Sequence, residues 1–302
     1  MKLKSICKTA IAAVFAGLAG SAGAATLYMN SAGSDMGGYD ATTGAQIVNY
    51  TQNKGNGRGI VVVGNIVYYT TADSGSVFMR DKTTNADLGV AFTIAGARWL
   101  QAISYDGTNF WVGDYSGTTN AFYVNGTTGA LIKTITLDNG LAKVRGQNIE
   151  GFYDGLEYFN GKLIAARFDG GFGGTQGYDV YDLDGNLLQL GFITTAGHGN
   201  GTGIAFDGTF FYVSNIFNTS GEITVWDGTT GAFVRNIDLA GNHGAIEDLS
   251  IDFAQRSDTC GGPNQPPCEG GGGNVPEPGS LSRAALALIA AGGIARRRRQ
   301  PK

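Results

Sequence analysis

An all-β protein, built as a five-bladed β-propeller closed by its own two ends, is the fold this sequence predicts, and three observations predict it. Charged residues make up only 15% of the 302 residues while glycine contributes 50, and no long stretch of the body carries an amphipathic helical period. A turn motif recurs as Tyr39-Asp40-Ala41-Thr42-Thr43-Gly44, Arg80-Asp81-Lys82-Thr83-Thr84-Asn85, Val124-Asn125-Gly126-Thr127-Thr128-Gly129, Tyr181-Asp182-Leu183-Asp184-Gly185 and Trp226-Asp227-Gly228-Thr229-Thr230-Gly231, at spacings of 41, 44, 57 and 45 residues. A period in the forties that holds several short strands belongs to propeller blades, not to a helical solenoid. Third, the repeat leaves complementary remainders at the two ends of the body.

The unit at residues 203–239 shows the blade. Gly203-Ile204-Ala205-Phe206 reads as a strand ending at the Asp207-Gly208 turn, 210–214 as a second and 223–226 as a third. After Thr229-Thr230-Gly231, residues 232–239 alternate apolar and polar as a fourth strand. The same order recurs at 59–94, 102–137 and 151–194, giving four whole blades. The beginning of the body supplies strands two to four of a fifth (27–29, 36–39 and 45–50), and 248–253 supplies the missing first strand. Pairing the two ends removes the open edge that a linear array of sheets would expose.

These strands resemble propeller repeats of the NHL and YWTD type. The residues that carry the likeness are Gly203-Ile204-Ala205-Phe206-Asp207-Gly208, Tyr212-Val213-Ser214-Asn215 and Trp111-Val112-Gly113-Asp114. The likeness implies the fold, since propellers host unrelated activities. It also implies that Asn30, Asp73, Asp114, Asp169 and Asn215, each ending a second strand, brace neighbouring blades. Asp106, Asp207 and Asp227 sit in tight turns and read as structural.

Aligning the innermost strands on Gly59, Ala102, Gly151, Gly203 and Asp248 places Arg58, Gln101, Glu150, Thr202 and Glu247 at one mouth of the central channel. This ring is the candidate ligand site. Asn148-Ile149-Glu150-Gly151 and Ala245-Ile246-Glu247-Asp248 resemble the glutamate-bearing strand starts of phytase-like and lactonase-like propellers. The resemblance implies calcium as a cofactor, with Glu150 and Glu247 as metal ligands among hard oxygen donors. Arg58 opposes a cation and instead suits an Arg–Glu network that plugs the channel. Both readings stand at this point.

Recognisable catalytic motifs are absent: there is no Gly-x-Ser-x-Gly elbow, no His-Glu-x-x-His helix and no phosphate-cradling loop. The two histidines, His198 and His243, lie in glycine-rich connections before innermost strands, where they would be ligands, an acid–base pair or plain loop residues. Residues 25–259 hold 12 Lys and Arg against 23 Asp and Glu, a net charge of −11. That charge argues against nucleic acid or an anionic lipid surface as partner.

The chain ends carry addresses. Lys2, Lys4 and Lys8 precede an apolar run and an Ala22-Gly23-Ala24 cleavage site, so residues 1–24 read as a secretory signal peptide. The body is expected over 25–258. A Gly- and Pro-rich stalk follows over 259–274, in which Cys260 and Cys268 are expected to close a disulfide in an oxidising compartment, a metal site needing more ligands than Glu269 offers. From 275 to 302 come Pro276, Glu277 and Pro278, an apolar run over about 281–295, and a basic tail from Arg296. This arrangement resembles the PEP-CTERM sorting signal of Gram-negative bacteria, a Pro-Glu-Pro motif, short transmembrane helix and basic cluster read by an exosortase. The likeness implies exosortase as a processing partner and a location at the cell envelope surface or outside it. The 15 residues of the run fall short of the roughly 20 that span a hydrocarbon core, and the arginines hold their end on the cytoplasmic side. The expected function is that of an exported, non-enzymatic surface or matrix propeller that binds polysaccharide or surface proteins. A secreted hydrolase or lactonase with a calcium site at the channel mouth is the alternative.

Overall fold

The computed structural model describes residues 25–33, 35–51, 54–114, 120–137, 154–168, 175–199, 201–215, 221–241 and 243–256. The expected signal peptide, cysteine loop and sorting tail lie outside the described residues, as do Glu150 and Asp169.

Twenty strands form five separate four-stranded sheets. Blade one joins β20 (Ile246–Ile251) to β1 (Thr26–Ser31), β2 (Asp35–Asp40) and β3 (Gln46–Thr51). Blade two runs through β4 (Gly57–Val63), β5 (Ile66–Thr71), β6 (Ser76–Asp81) and β7 (Asp87–Thr93). Blade three comprises β8 (Leu100–Tyr105), β9 (Asn109–Asp114), β10 (Asn120–Asn125) and β11 (Leu131–Thr136). Blade four holds β12 (Leu156–Phe159), β13 (Lys162–Phe168), β14 (Thr175–Tyr181) and β15 (Leu187–Ile193). Blade five is β16 (Gly201–Phe206), β17 (Phe210–Asn215), β18 (Glu222–Asp227) and β19 (Phe233–Asp238). All pairings are antiparallel, and β20 closes the ring on β1 with Leu27 opposite Ile251 and Met29 opposite Leu249. The chain is a five-bladed β-propeller closed three-plus-one. The closing strand ends at Ile251, earlier than the expected 253, because the Asp252 carboxylate accepts from Ala254 N and caps a 3-10 turn over Phe253–Gln255.

The recurring motif makes the third-to-fourth strand turn of each blade. Asp40 Oδ1 accepts from Thr42 N and Thr43 N, and Asp81, Asn125 and Asp227 repeat the arrangement. In blade four Asp182 accepts from Asp184 N and Asn186 N instead. Gly44 closes its turn at φ +73° against the backbone of Asp238, where a Cβ would lie 1.9 Å from a carbonyl oxygen. Asn85 takes that left-handed position in blade two at φ 60°.

Five apolar clusters, one per interface between neighbouring blades, replace a single core. The period-two alternation of a strand distributes its residues to both neighbours. Leu27 and Met29 pack toward blade five, while Tyr28 between them packs toward blade two. Innermost strands such as β16 and β20 are therefore buried at every position, whereas the outer strands expose Ile47, Val90, Ile132 and Leu190.

Candidate functional site: the mouth of the central channel

The innermost strands converge where β4, β8, β12, β16 and β20 begin. At Gly59, Gly155 and Gly203 a Cβ would come within 2.3 Å of Gln101 O, 2.0 Å of Thr202 O and 2.3 Å of Asp248 Cα. Close approach of neighbouring backbones thus requires glycine in three blades, and Ala102 and Asp248 hold the same position in the other two. One residue before each comes the polar ring, which consists of Arg58, Gln101, Asp154, Thr202 and Glu247. The sequence reading expects Glu150 at the position that blade four contributes, and Asp154, four residues later, stands there. A readable signal existed. Arg58-Gly59-Ile60, Gln101-Ala102-Ile103, Asp154-Gly155-Leu156 and Thr202-Gly203-Ile204 share a polar–small–aliphatic order, while Glu150-Gly151 is followed by Phe152.

All five side chains are largely withdrawn from solvent. Arg58 Nη1 pairs with Glu247 Oε1 between blades two and one. Gln101 Nε2 donates to Asp154 Oδ1 between blades three and four. Thr202 Oγ1 donates to Ile246 O at 3.0 Å and lies 3.1 Å from Ser214 Oγ. Burial, followed by the like charge of Glu247, pushes the Asp154 carboxyl up to about 7, against the opposing influence of Arg58 and Gln101. Burial raises Glu247 as well, and Arg58 counters it. Deeper in the channel, Asp248 accepts from Ile60 N at 3.1 Å and Ile204 N at 3.4 Å, tying blade one to blades two and five. Its burial pushes the carboxyl far above the usual range despite those two donors.

Residues 252–256 close the far mouth. Gln255 Oε1 accepts from Thr26 N of blade one, Asp252 pairs with Lys82 of blade two at 2.5 Å, and Phe253 meets Tyr105 of blade three edge-on. Arg256 pairs with Glu157 and donates to Tyr158 O in blade four, while its guanidinium lies 5.5 Å from the Phe206 ring of blade five. One short strap therefore touches every blade.

Of the two glutamates expected to hold calcium, Glu150 lies outside the described residues and Glu247 is engaged by a guanidinium. Among the described residues no three His, Cys, Asp or Glu side chains are grouped to hold a metal. The histidines enter separate contacts: His198 stacks on Phe233 at 4.0 Å, and buried His243 meets Tyr39 edge-on. Of the second-strand ring, Asn30 braces blade one to blade two by donating to Gly59 O at 3.0 Å and Thr70 O at 3.4 Å. Asp106 and Asp207 each accept two backbone N–H groups within their own turns.

No family model and no curated protein matches the chain. Among solved structures it is similar to the glutaminyl cyclase of Myxococcus xanthus at 15% identity, over 66% of this chain and 71% of that one, with a TM-score of 0.43. It is also similar to a chain of a nidogen/laminin complex at 11% identity, over 76% of this chain and 99% of that one, with a TM-score of 0.49. Likeness at this level carries no argument about activity, and the architecture rests on the five sheets themselves.

Proposed function

We propose that this chain is an exported β-propeller, sorted through its Pro276-Glu277-Pro278 tail by an exosortase, whose body is a non-enzymatic binding or structural module at the cell surface or in the extracellular matrix. One observation carries the non-enzymatic part. Among the described residues, Arg58 is paired with Glu247 at one end of the channel and Arg256 with Glu157 at the other, in place of an exposed, open-sided reactive constellation. The acidic body and the sequence of the tail support the rest. Mass spectrometry of the mature C-terminus in exosortase-positive and exosortase-negative cells tests the sorting: loss of the tail only in positive cells is expected, and an intact tail in both overturns it.

A second reading has one observation in its favour. Asp154 is a buried carboxyl with a value near 7 beside another acid, as a general acid requires. Turnover of a lactone, phosphoester or glycoside by the purified protein, lost in Asp154→Asn, would establish a propeller hydrolase. No turnover across that panel is the outcome expected of a binding module.

A further inference from the structure

Asn-Gly is the step of a polypeptide most prone to lose ammonia from its side chain, because glycine has no Cβ to shield its nitrogen from the preceding carboxamide. Three such steps lie within the described residues, at 56–57, 125–126 and 160–161. The fold treats them differently. At Asn125 the carboxamide oxygen accepts from Thr127 N at 3.0 Å and Thr128 N at 2.8 Å, and Gly126 N donates to Asn109 Oδ1 at 3.1 Å. A Cβ on Gly126 would lie 2.2 Å from Thr108 O, so this step has no room to turn. At the first step the Asn56 carbonyl accepts from Ala72 N at 3.0 Å, and buried Gly57 pairs with Thr71 in the ladder of blade two.

Asn160 and Gly161 are exposed and form the two-residue turn between β12 and β13. Their φ angles of 47° and 74° are those of a type I′ turn, which favours Asn-Gly because both central residues need positive φ. The residues that make this hairpin are thus also a labile step. Among the described residues neither the Asn160 side chain nor the Gly161 N–H makes a hydrogen bond, and nothing lies within 4 Å of a Cβ built on Gly161. Freeing the turn takes only the opening of the Phe159–Lys162 pair, the last rung of a strand of four residues.

We propose that Asn160 is a modification site, where the chain converts its own asparagine to aspartate and isoaspartate, and that the isoaspartyl form loosens the strap at the far mouth. The Gly161 nitrogen attacks Asn160 Cγ. An N–Cγ bond forms as Cγ–Nδ2 breaks, and ammonia leaves with the proton given up by the Gly161 nitrogen. Water then opens the cyclic imide: adding at Cγ it yields aspartate, and adding at the main-chain carbonyl it yields isoaspartate, whose backbone carries an extra methylene. The length of a two-residue turn fixes the register of its hairpin, so that methylene disturbs the pairing of β12. Directly before the turn, β12 carries Glu157, which pairs with Arg256, and Tyr158, whose carbonyl accepts from Arg256 Nη2 at 2.7 Å. The strap is fastened to the strand that the modification displaces.

The purified full chain in detergent is aged in mildly alkaline buffer and mapped by mass spectrometry, with electron-transfer fragmentation to separate isoaspartate from aspartate. In the folded protein Asn160 is expected to convert at least about tenfold faster than Asn125 or Asn56, and in urea the three should fall within about threefold, since no structure then distinguishes them. Equal rates in the folded protein, or the same ranking kept in urea, overturns selection of the site by the fold. Hydrogen exchange of residues 253–256 reads the strap. Faster exchange is expected in aged wild type and not in aged Asn160→Gly, which keeps a turn of the same type and has no carboxamide. Unchanged exchange in fully converted protein, or an equal gain in Asn160→Gly, overturns the link to the strap.

Discussion

Asp154 is the residue whose chemistry depends most on its surroundings. Its folded-state value near 7 lies above the roughly 3.9 of an unfolded aspartate, so the folded state holds the proton more tightly. The associated stability is full below about pH 4 and is lost as pH rises through about 7. Wild type is therefore expected to lose on the order of a few kcal/mol between pH 5 and 8 by urea denaturation. Asp154→Asn keeps a polar partner for Gln101 and cannot ionise, so its stability should change less with pH, its advantage over wild type growing toward pH 8. An unchanged slope would assign the pH dependence to Glu247 or Asp248. Arg58, Gln101 and Thr202 were legible because a polar side chain precedes a small residue and an aliphatic one at those strand starts, and Glu247 because Ile246-Glu247-Asp248 opens the strand that completes the fifth blade. The fifth was missed because Ile149-Glu150-Gly151 mimics Ile246-Glu247-Asp248 more closely than Asp154-Gly155 does; the aliphatic Leu156 after Gly155, where Phe152 follows Gly151, and the packing of Gly155 against Thr202 O distinguish them.

Strands and turns were readable at the scale of elements because each blade states them locally: alternation gives the strands, and Asp or Asn before Thr-Thr-Gly gives the turns. The strap over residues 252–256 was not. Its anchor is Arg256, a surface residue by composition, and its partner Glu157 lies 99 residues away in sequence. Replacing Arg256 by Ala removes the guanidinium that pairs with the buried Glu157 carboxylate, and a loss of about 3–5 kcal/mol is expected by urea denaturation. Arg256→Met with Glu157→Gln should recover most of that loss by removing both charges. The Lys82–Asp252 pair at the edge of the strap is part-exposed, and Lys82→Ala should cost less than about 1 kcal/mol. Equal losses for Arg256→Ala and Lys82→Ala would show that the strap is not held by its buried end.

For the molecule as a whole, the three-plus-one closure was legible because the remainders at the two ends of the body add up to one blade. What stayed hidden was how the closed channel is filled, since that depends on which acids meet which arginines across blades. The closure has a measurable effect. A circular permutant joining residue 256 to 25 through a short glycine linker and opening the chain at residues 241–243 makes blade one continuous. It should fold, because Thr26 N and Gln255 Oε1 are already hydrogen-bonded. Its ring is then closed by side-chain packing alone, and a Tm several degrees below wild type is expected by calorimetry. An equal or higher Tm would show that pairing of β20 with β1 is not what holds the ring shut.

That pairing also decides how the protein bears force. Leu27 faces Ile251 at the end of the ladder from which both chain ends leave. Drawn apart by its two ends, the sheet parts like a zip, one rung at a time. Held at the mouth and drawn from residue 256 alone, the same ladder is loaded lengthwise with its rungs sharing the strain, and Arg256 takes the first of the load.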